Sequence, residues 1–349
     1  MFGERQFLTG IIEGFYGQPW SFETRLAYAD YLQLLDLNTY IYCPKADPYL
    51  RKRWQERWPA PLFQEMKALA DTYASRSLGF GVGLSPFELY KNYDMLHKQL
   101  LKEKVAELNQ LGAPLLAILF DDMPGDVPSL ATRQLDIIND ISTWSNAQRI
   151  LVCPTYYSLD PVLEKYFGRM PKHYWRDLGR GLSNEVDILW TGNKVCSESV
   201  SAADISHIQS QLERPIVLWD NYPVNDGALR SNFLYGSKLN NRDPLLAAAL
   251  TGHLCNPMNQ GCISLLALQG LSELYGRSAG DLSAVIGAAT YSQLAVDTAD
   301  FQQLGLSGLG EQRRQQLAQI YASFPGPAAA EVVAWLRGEY TFDPACLTD

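Results

Sequence analysis

Two adjacent carboxylates, Asp121 and Asp122, close the most apolar run of the chain, PLLAILF at 114–120, and are followed at once by Met-Pro-Gly. Neighbouring side chains on a regular strand face opposite sides, but a break after such a run lets both carboxylates enter one pocket. Two carboxylates held close shift one another's protonation, so that one stays acidic near neutral pH beside an ionised partner. That is a general acid next to an anion. Without its context the same pair also reads as an Asx turn, or as a helix N-cap ahead of Ser129. A magnesium site is a further use, for which Glu13, Asp220 and Asp226 are the other candidate carboxylates.

A second constellation is Trp219-Asp220-Asn221-Tyr222 with Asn225-Asp226 shortly after it. An aromatic face beside amide and carboxylate groups suits the apolar face and hydroxyl rim of a sugar. The plainer alternative is a core tryptophan followed by a turn. Tyr157, Lys45 and Asn256 have similar double readings: a packed ring, a salt bridge to Asp47, and a turn residue before Pro257.

These residues need elements to position them. Short apolar runs at 7–12, 39–43, 79–84, 115–120, 150–153, 186–190, 216–219 and 261–266 read as eight strands. Between them, 21–35, 62–74, 96–111 and 130–144 carry apolar residues three and four apart, often after a Ser or Pro that starts a helix. The alternation predicts an α/β fold, a (β/α)8 TIM barrel with a small C-terminal helical appendage, with a doubly wound open sheet as the competitor. In such a barrel the residues just past the strand ends converge on one pocket. Here those ends hold polar, aromatic or turn residues, including Glu13-Gly14, Pro44-Lys45, Asp121-Asp122, Tyr156-Tyr157 and Asp220-Asn221. The expected domains are a catalytic barrel over 1–275 and a helical domain over 276–349, in which no chemistry is expected. Gly79, Gly81 and Gly83 are read as strand glycines, because a nucleotide loop would need glycine where Leu84 stands.

Composition narrows the function. The 349 residues carry 29 Lys and Arg against 38 Asp and Glu, a net charge of −9 that argues against nucleic acid or a membrane surface as partner. No apolar run approaches the roughly 20 residues that span a bilayer, and the opening MFGERQF lacks the pattern of a secretion signal. Six scattered cysteines without a CxxC pair read as thiols in a reducing compartment, and four histidines without metal-ligand spacing as no metal centre. A cytoplasmic protein is expected.

Seven motifs then resemble, in order over about residues 8–270, those of the glycoside hydrolase family 84 β-N-acetylglucosaminidases, the O-GlcNAcase family. They are EGFYGQPW (13–20), NTYIYCPKADPY (38–49), ILFDDMP (118–124), CPTYY (153–157), LWTGNKVCS (189–197), LWDNYPVND (218–226) and LCNPMNQ (254–260). The resemblance implies a barrel enzyme that removes terminal β-linked N-acetylglucosamine (GlcNAc) with retention. It implies that Asp121 orients the substrate's acetamido group and that Asp122 is the general acid and base. Gly14, through its carbonyl, with Lys45, Asn221, Asp226 and Asn256, matches sugar-binding positions; Tyr157 and Trp219 match aromatic positions beside the acetamido pocket. Gln18, Ala46, Phe87 and Gly227 depart from the family pattern, and Phe87 and Gly227 are positioned to reshape the outer cleft.

The spacing of the pair agrees with that implication. A carboxylate nucleophile and an acid must flank the scissile bond roughly 5 Å apart, which vicinal residues supply poorly. The substrate's own acetamido oxygen can attack instead, through an oxazoline. The expectation is therefore substrate-assisted hydrolysis of a GlcNAc-containing glycoconjugate without metal or organic cofactor. A catalytically silent GlcNAc-binding protein and a metal-dependent barrel hydrolase are the alternatives.

Overall fold

The computed structural model describes residues 6–340 and 342–348. Its strands are β1 (Leu8–Glu13), β2 (Thr39–Tyr42), β3 (Gly79–Leu84), β4 (Leu115–Leu119), β5 (Arg149–Cys153), β6 (Val186–Trp190), β7 (Ile216–Asp220) and β8 (Gly252–Cys255). Each pairs in parallel with the next, and β8 returns to β1 in the register Leu8↔Gly252 to Ile11↔Cys255, so the sheet closes as a (β/α)8 barrel. Every strand residue is buried, from outside by the crossover helices and from inside by side chains of the other strands. This is why the strands read as continuous apolar runs rather than alternating ones.

The crossovers begin with local caps. Ser21 accepts from Thr24 N to start the helix Phe22–Leu34, Asp94 accepts from His97 N ahead of Met95–Asn109, and Ser201 with Asp204 forms a capping box on Ala202–Leu212. Gly83 lies on β3, and a side chain has no room there: a Cβ would sit 2.4 Å from Cys43 Cβ and 2.9 Å from Leu119 Cδ1 in the packed interior. The glycine cluster of β3 is thus strand, as the sequence suggests.

One predicted strand is corrected. The run at 261–266 opens the helix Gly261–Leu274, and the eighth strand is the shorter GHLC of β8. That helix is buried on almost every side, between the barrel and the helices that follow, so it has no polar face to betray its period. After Tyr275 the described chain forms the helices Ser283–Ile286, Ala288–Gln303, Gly305–Ala322 and Pro327–Leu336. The last of these caps the buried helix: the Glu331 carboxylate accepts from Cys262 N at 3.0 Å and Ile263 N at 3.1 Å.

Among the described residues no helix is long and apolar enough to cross a membrane. Most of the opening MFGERQF, residues 1–5, lies outside the described residues. All six cysteines stand as thiols.

Candidate active site

At the carboxyl end of β4 the ladder continues one residue, with Phe120 N donating to Cys153 O at 2.9 Å, and then breaks. Asp122 takes φ 55°, the left-handed region that Asp tolerates better than most residues. That turn brings Asp121 and Asp122 into the same cavity at the mouth of the barrel. Neither serves as a cap for the helix Leu130–Trp144, which begins after Ser129.

The two carboxylates have different surroundings. Asp121 is buried and its Oδ2 is ion-paired with Lys45 Nζ, while its Oδ1 has no hydrogen-bond partner among the described residues. Lys45 therefore pairs across the pocket with Asp121 rather than with Asp47, whose carboxylate accepts from Tyr42, Trp58 and the Tyr49 amide. Burial works to lower the pKa of the Lys45 ammonium, but the Asp121 charge outweighs it and holds the group above its ordinary value. Asp122 is half-buried and accepts two phenol hydrogen bonds, from Tyr16 to Oδ2 at 2.7 Å and from Tyr157 to Oδ1 at 2.9 Å. Arg51 Nη2 donates to the Asp122 backbone carbonyl at 3.3 Å. Burial, and then the Asp122 charge, push both phenols well above their usual pKa, so they remain donors.

The opposite wall is built from β1, β7 and β8. Trp219 packs against Gly14 so closely that a Cβ on Gly14 would sit 2.3 Å from Trp219 Cζ2, which makes glycine obligatory there. Asn256, the first residue after β8, accepts from Gly14 N at 3.2 Å and donates to Asn221 Oδ1 at 2.9 Å. Asn221 in turn donates to Val195 O at 2.9 Å, fixing which atoms of each amide remain for a ligand. Asp226 accepts from Tyr16 N at 2.6 Å, and burial pushes its carboxyl up to about 6 against that hydrogen bond.

The nine residues singled out in the sequence, Gly14, Lys45, Asp121, Asp122, Tyr157, Trp219, Asn221, Asp226 and Asn256, all line this cavity. The other two candidate metal carboxylates face away from it. Glu13 is held by the Arg25 guanidinium, at 2.9 and 2.7 Å, and by Tyr40, because it points to the helix side of β1. Asp220 is held by Arg242 through two bonds of 2.7 Å and by His253 at 3.0 Å. Among the described residues no group of three His, Cys, Asp or Glu is placed to hold a metal ion.

Several lining residues escape the sequence reading. Tyr16 stands inside EGFYGQPW as an aromatic at a strand end; Arg51, which supports the Asp122 backbone from behind the lining, shows in the sequence only as part of a short basic run. Two residues of the segment after 275, where no chemistry is expected, also border the cavity: Cys346 and Thr348. Nothing local to those two residues signals that placement, which depends on how the chain returns over the barrel.

The family model NAGidase, beta-N-acetylglucosaminidase, matches residues 9–292. The chain is 30% identical over 282 residues to Protein O-GlcNAcase of Rattus norvegicus and equally to that of Mus musculus, covering 78% of this chain and 30% of each relative. The chain thus spans under a third of the length of the curated relatives it matches. A solved structure of an O-GlcNAc hydrolase mutant from Thermobaculum terrenum superposes with a TM-score of 0.73 at 27% identity, covering 96% of this chain and 81% of that one.

Proposed function

The chain belongs to the β-N-acetylglucosaminidase family, glycoside hydrolase family 84, and we propose that it hydrolyses terminal β-linked GlcNAc from a glycoconjugate by substrate-assisted catalysis with retention. The observation that carries the reading is the division of labour in the Asp121-Asp122 pair. Asp121, which lines the cavity, is anchored through one oxygen to Lys45 and has its other oxygen buried without a hydrogen-bond partner among the described residues. Buried acceptors are ordinarily satisfied, so this one is ready for a ligand donor such as an acetamido N–H. Asp122, held by two phenols, is only half-buried, as a group that exchanges protons with a leaving group and with water has to be.

In the first step Asp121 holds the acetamido N–H, and the acetamido oxygen forms a bond to C1. The bond from C1 to the aglycone oxygen breaks as Asp122 gives that oxygen its proton. In the second step Asp122 takes a proton from water, the water oxygen bonds to C1, the oxazoline C1–O bond opens, and the β configuration is restored. Trp219 offers an apolar ring face to the sugar; the Gly14 carbonyl, Lys45, Asn221, Asp226 and Asn256 supply the polar rim. Because these groups are fixed by one another before substrate arrives, little reorganisation accompanies the reaction. The thiol state of all six cysteines supports a cytoplasmic location.

The test is a panel of aryl glycosides. The N-acetyl-β-glucosaminide is expected to turn over while the β-glucoside, lacking the nucleophile, is inert, and progressive fluorination of the acetyl methyl is expected to slow turnover steeply. Equal rates on the two sugars, or no response to fluorination, would indicate a nucleophile from the protein. GlcNAc binding without turnover would support the silent binding protein instead.

A further inference from the structure

The segment 342–348 crosses the mouth of the barrel and enters the cavity. It is aimed there by a turn: Cys346 N donates to Asp343 O at 2.9 Å, and Ala345 N donates to Asp343 Oδ1 at 2.9 Å. Asp at the first position and Pro344 at the second are the residues such a turn favours. Beyond it Cys346 and Thr348 line the cavity while Leu347 between them is 44% exposed, the alternation of an extended chain.

The contacts at the two inward residues are with the proposed sugar site itself. Cys346 Sγ lies 3.9 Å from Asp226 Oδ1, and the Thr348 side chain engages the Tyr157 phenol, which also bonds Asp122. Asp226 belongs to the hydroxyl rim and Tyr157 to the acetamido and general-acid side. The segment therefore touches the proposed sugar site at two separate lining residues, Asp226 and Tyr157.

We propose that residues 343–348 form an intramolecular strap that occupies the sugar subsite and is displaced when a glycoside binds; this rests on the sugar-site reading above. The strap is lightly held, since Phe342 and Leu347 point outward and remain nearly half exposed, so little apolar surface is removed from water. Yet it is tethered close by the helix Pro327–Leu336, whose Trp335 and Leu336 are buried, and a short tether gives even weak contacts a high effective concentration. The result is competition with substrate rather than a block. Only a fraction of molecules presents an empty site at any moment, and the apparent affinity for substrate falls by that fraction.

The experiment compares the full chain with a variant lacking residues 342–349, and with Asp343→Ala/Pro344→Gly, which loosens the turn while keeping the length. Two quantities are read: the kinetics on an aryl N-acetyl-β-glucosaminide, and the rate at which iodoacetamide alkylates Cys196, a cavity-lining thiol resolved by peptide mass spectrometry. Both variants are expected to lower KM by about fivefold with kcat unchanged, and to raise the Cys196 alkylation rate. A raised KM would make the segment a wall of the substrate site and overturn the strap, as would an unchanged KM with an unchanged alkylation rate. If neither form hydrolyses any glycoside but Cys196 reacts faster in the variants, the strap stands and the enzymatic reading fails.

Discussion

Lys45 and Asp121 form a buried ion pair that engages one carboxylate oxygen and leaves the other buried without a hydrogen-bond partner among the described residues. The pair joins the ends of β2 and β4, so it sets both the position of the carboxylate and the side it presents. Breaking it strands a buried charge. Lys45→Met is expected to cost about 3–5 kcal/mol of stability and most of the activity. Adding Asp121→Asn removes the stranded charge, so the double variant should regain stability but no activity. Urea unfolding of the two variants checks this, and equal midpoints would show that the pair does not hold Asp121.

Asp226 links the rim to a pH dependence. Burial pushes its carboxyl up to about 6, with the Tyr16 amide acting in the opposite direction. As pH falls through that value the group protonates and ceases to be a charged acceptor for sugar hydroxyls. The profile of kcat/KM, which reports the free enzyme, should therefore lose activity on its acid side near pH 6. Asp226→Asn is expected to remove that limb and lower the plateau by about tenfold or more, since charge-assisted hydrogen bonds of roughly 1.5–3 kcal/mol are weakened. An unchanged acid limb in the variant would assign it to another group.

Glu331 predicts a pH effect on stability rather than on rate. Burial raises its carboxyl to about 7, although the amides of Cys262 and Ile263 donate to it. A carboxyl with a folded pKa above its unfolded value binds protons more tightly in the folded state. Its contribution is thus fully present below the ordinary glutamate range near 4.5 and is lost as pH rises toward 7. Glu331→Gln should flatten the fall in thermal midpoint across that window. A variant whose midpoint falls as steeply as the parent's would place the dependence elsewhere.

The barrel was legible because seven of its strands are buried on both faces and appear as short β-rich runs between helical periods. The eighth was misplaced for the same physical reason: in GCISLLAL the helix is buried all round, so an apolar run without polar spacing carries no period to separate it from a strand. Asp121 and Asp122 could be singled out because a Met-Pro-Gly break follows the run that positions them. Cys346 and Thr348, which line the cavity, and Arg51, which bonds the Asp122 carbonyl, could not, since their roles come from tertiary placement and no neighbouring residue announces them. Glu13 and Asp220 show the converse: each sits at a strand end, yet the pleat turns it toward a buried arginine instead of the cavity.

In the proposed mechanism Asp122 transfers the proton and Asp121 positions the acetamido group. In the Asp122→Ala enzyme azide needs no deprotonation to attack, so it should partly restore turnover of an activated substrate and give the β-glycosyl azide, the oxazoline blocking the other face. The most direct measurement is kcat/KM for both alanine variants over a series of N-acetyl-β-glucosaminides whose leaving groups run from acidic phenols to alkyl alcohols. The loss in Asp122→Ala is predicted to grow with leaving-group pKa, being mild for phenols that depart unprotonated, while the loss in Asp121→Ala stays level across the series. A level loss in Asp122→Ala together with a graded one in Asp121→Ala would contradict the assignment.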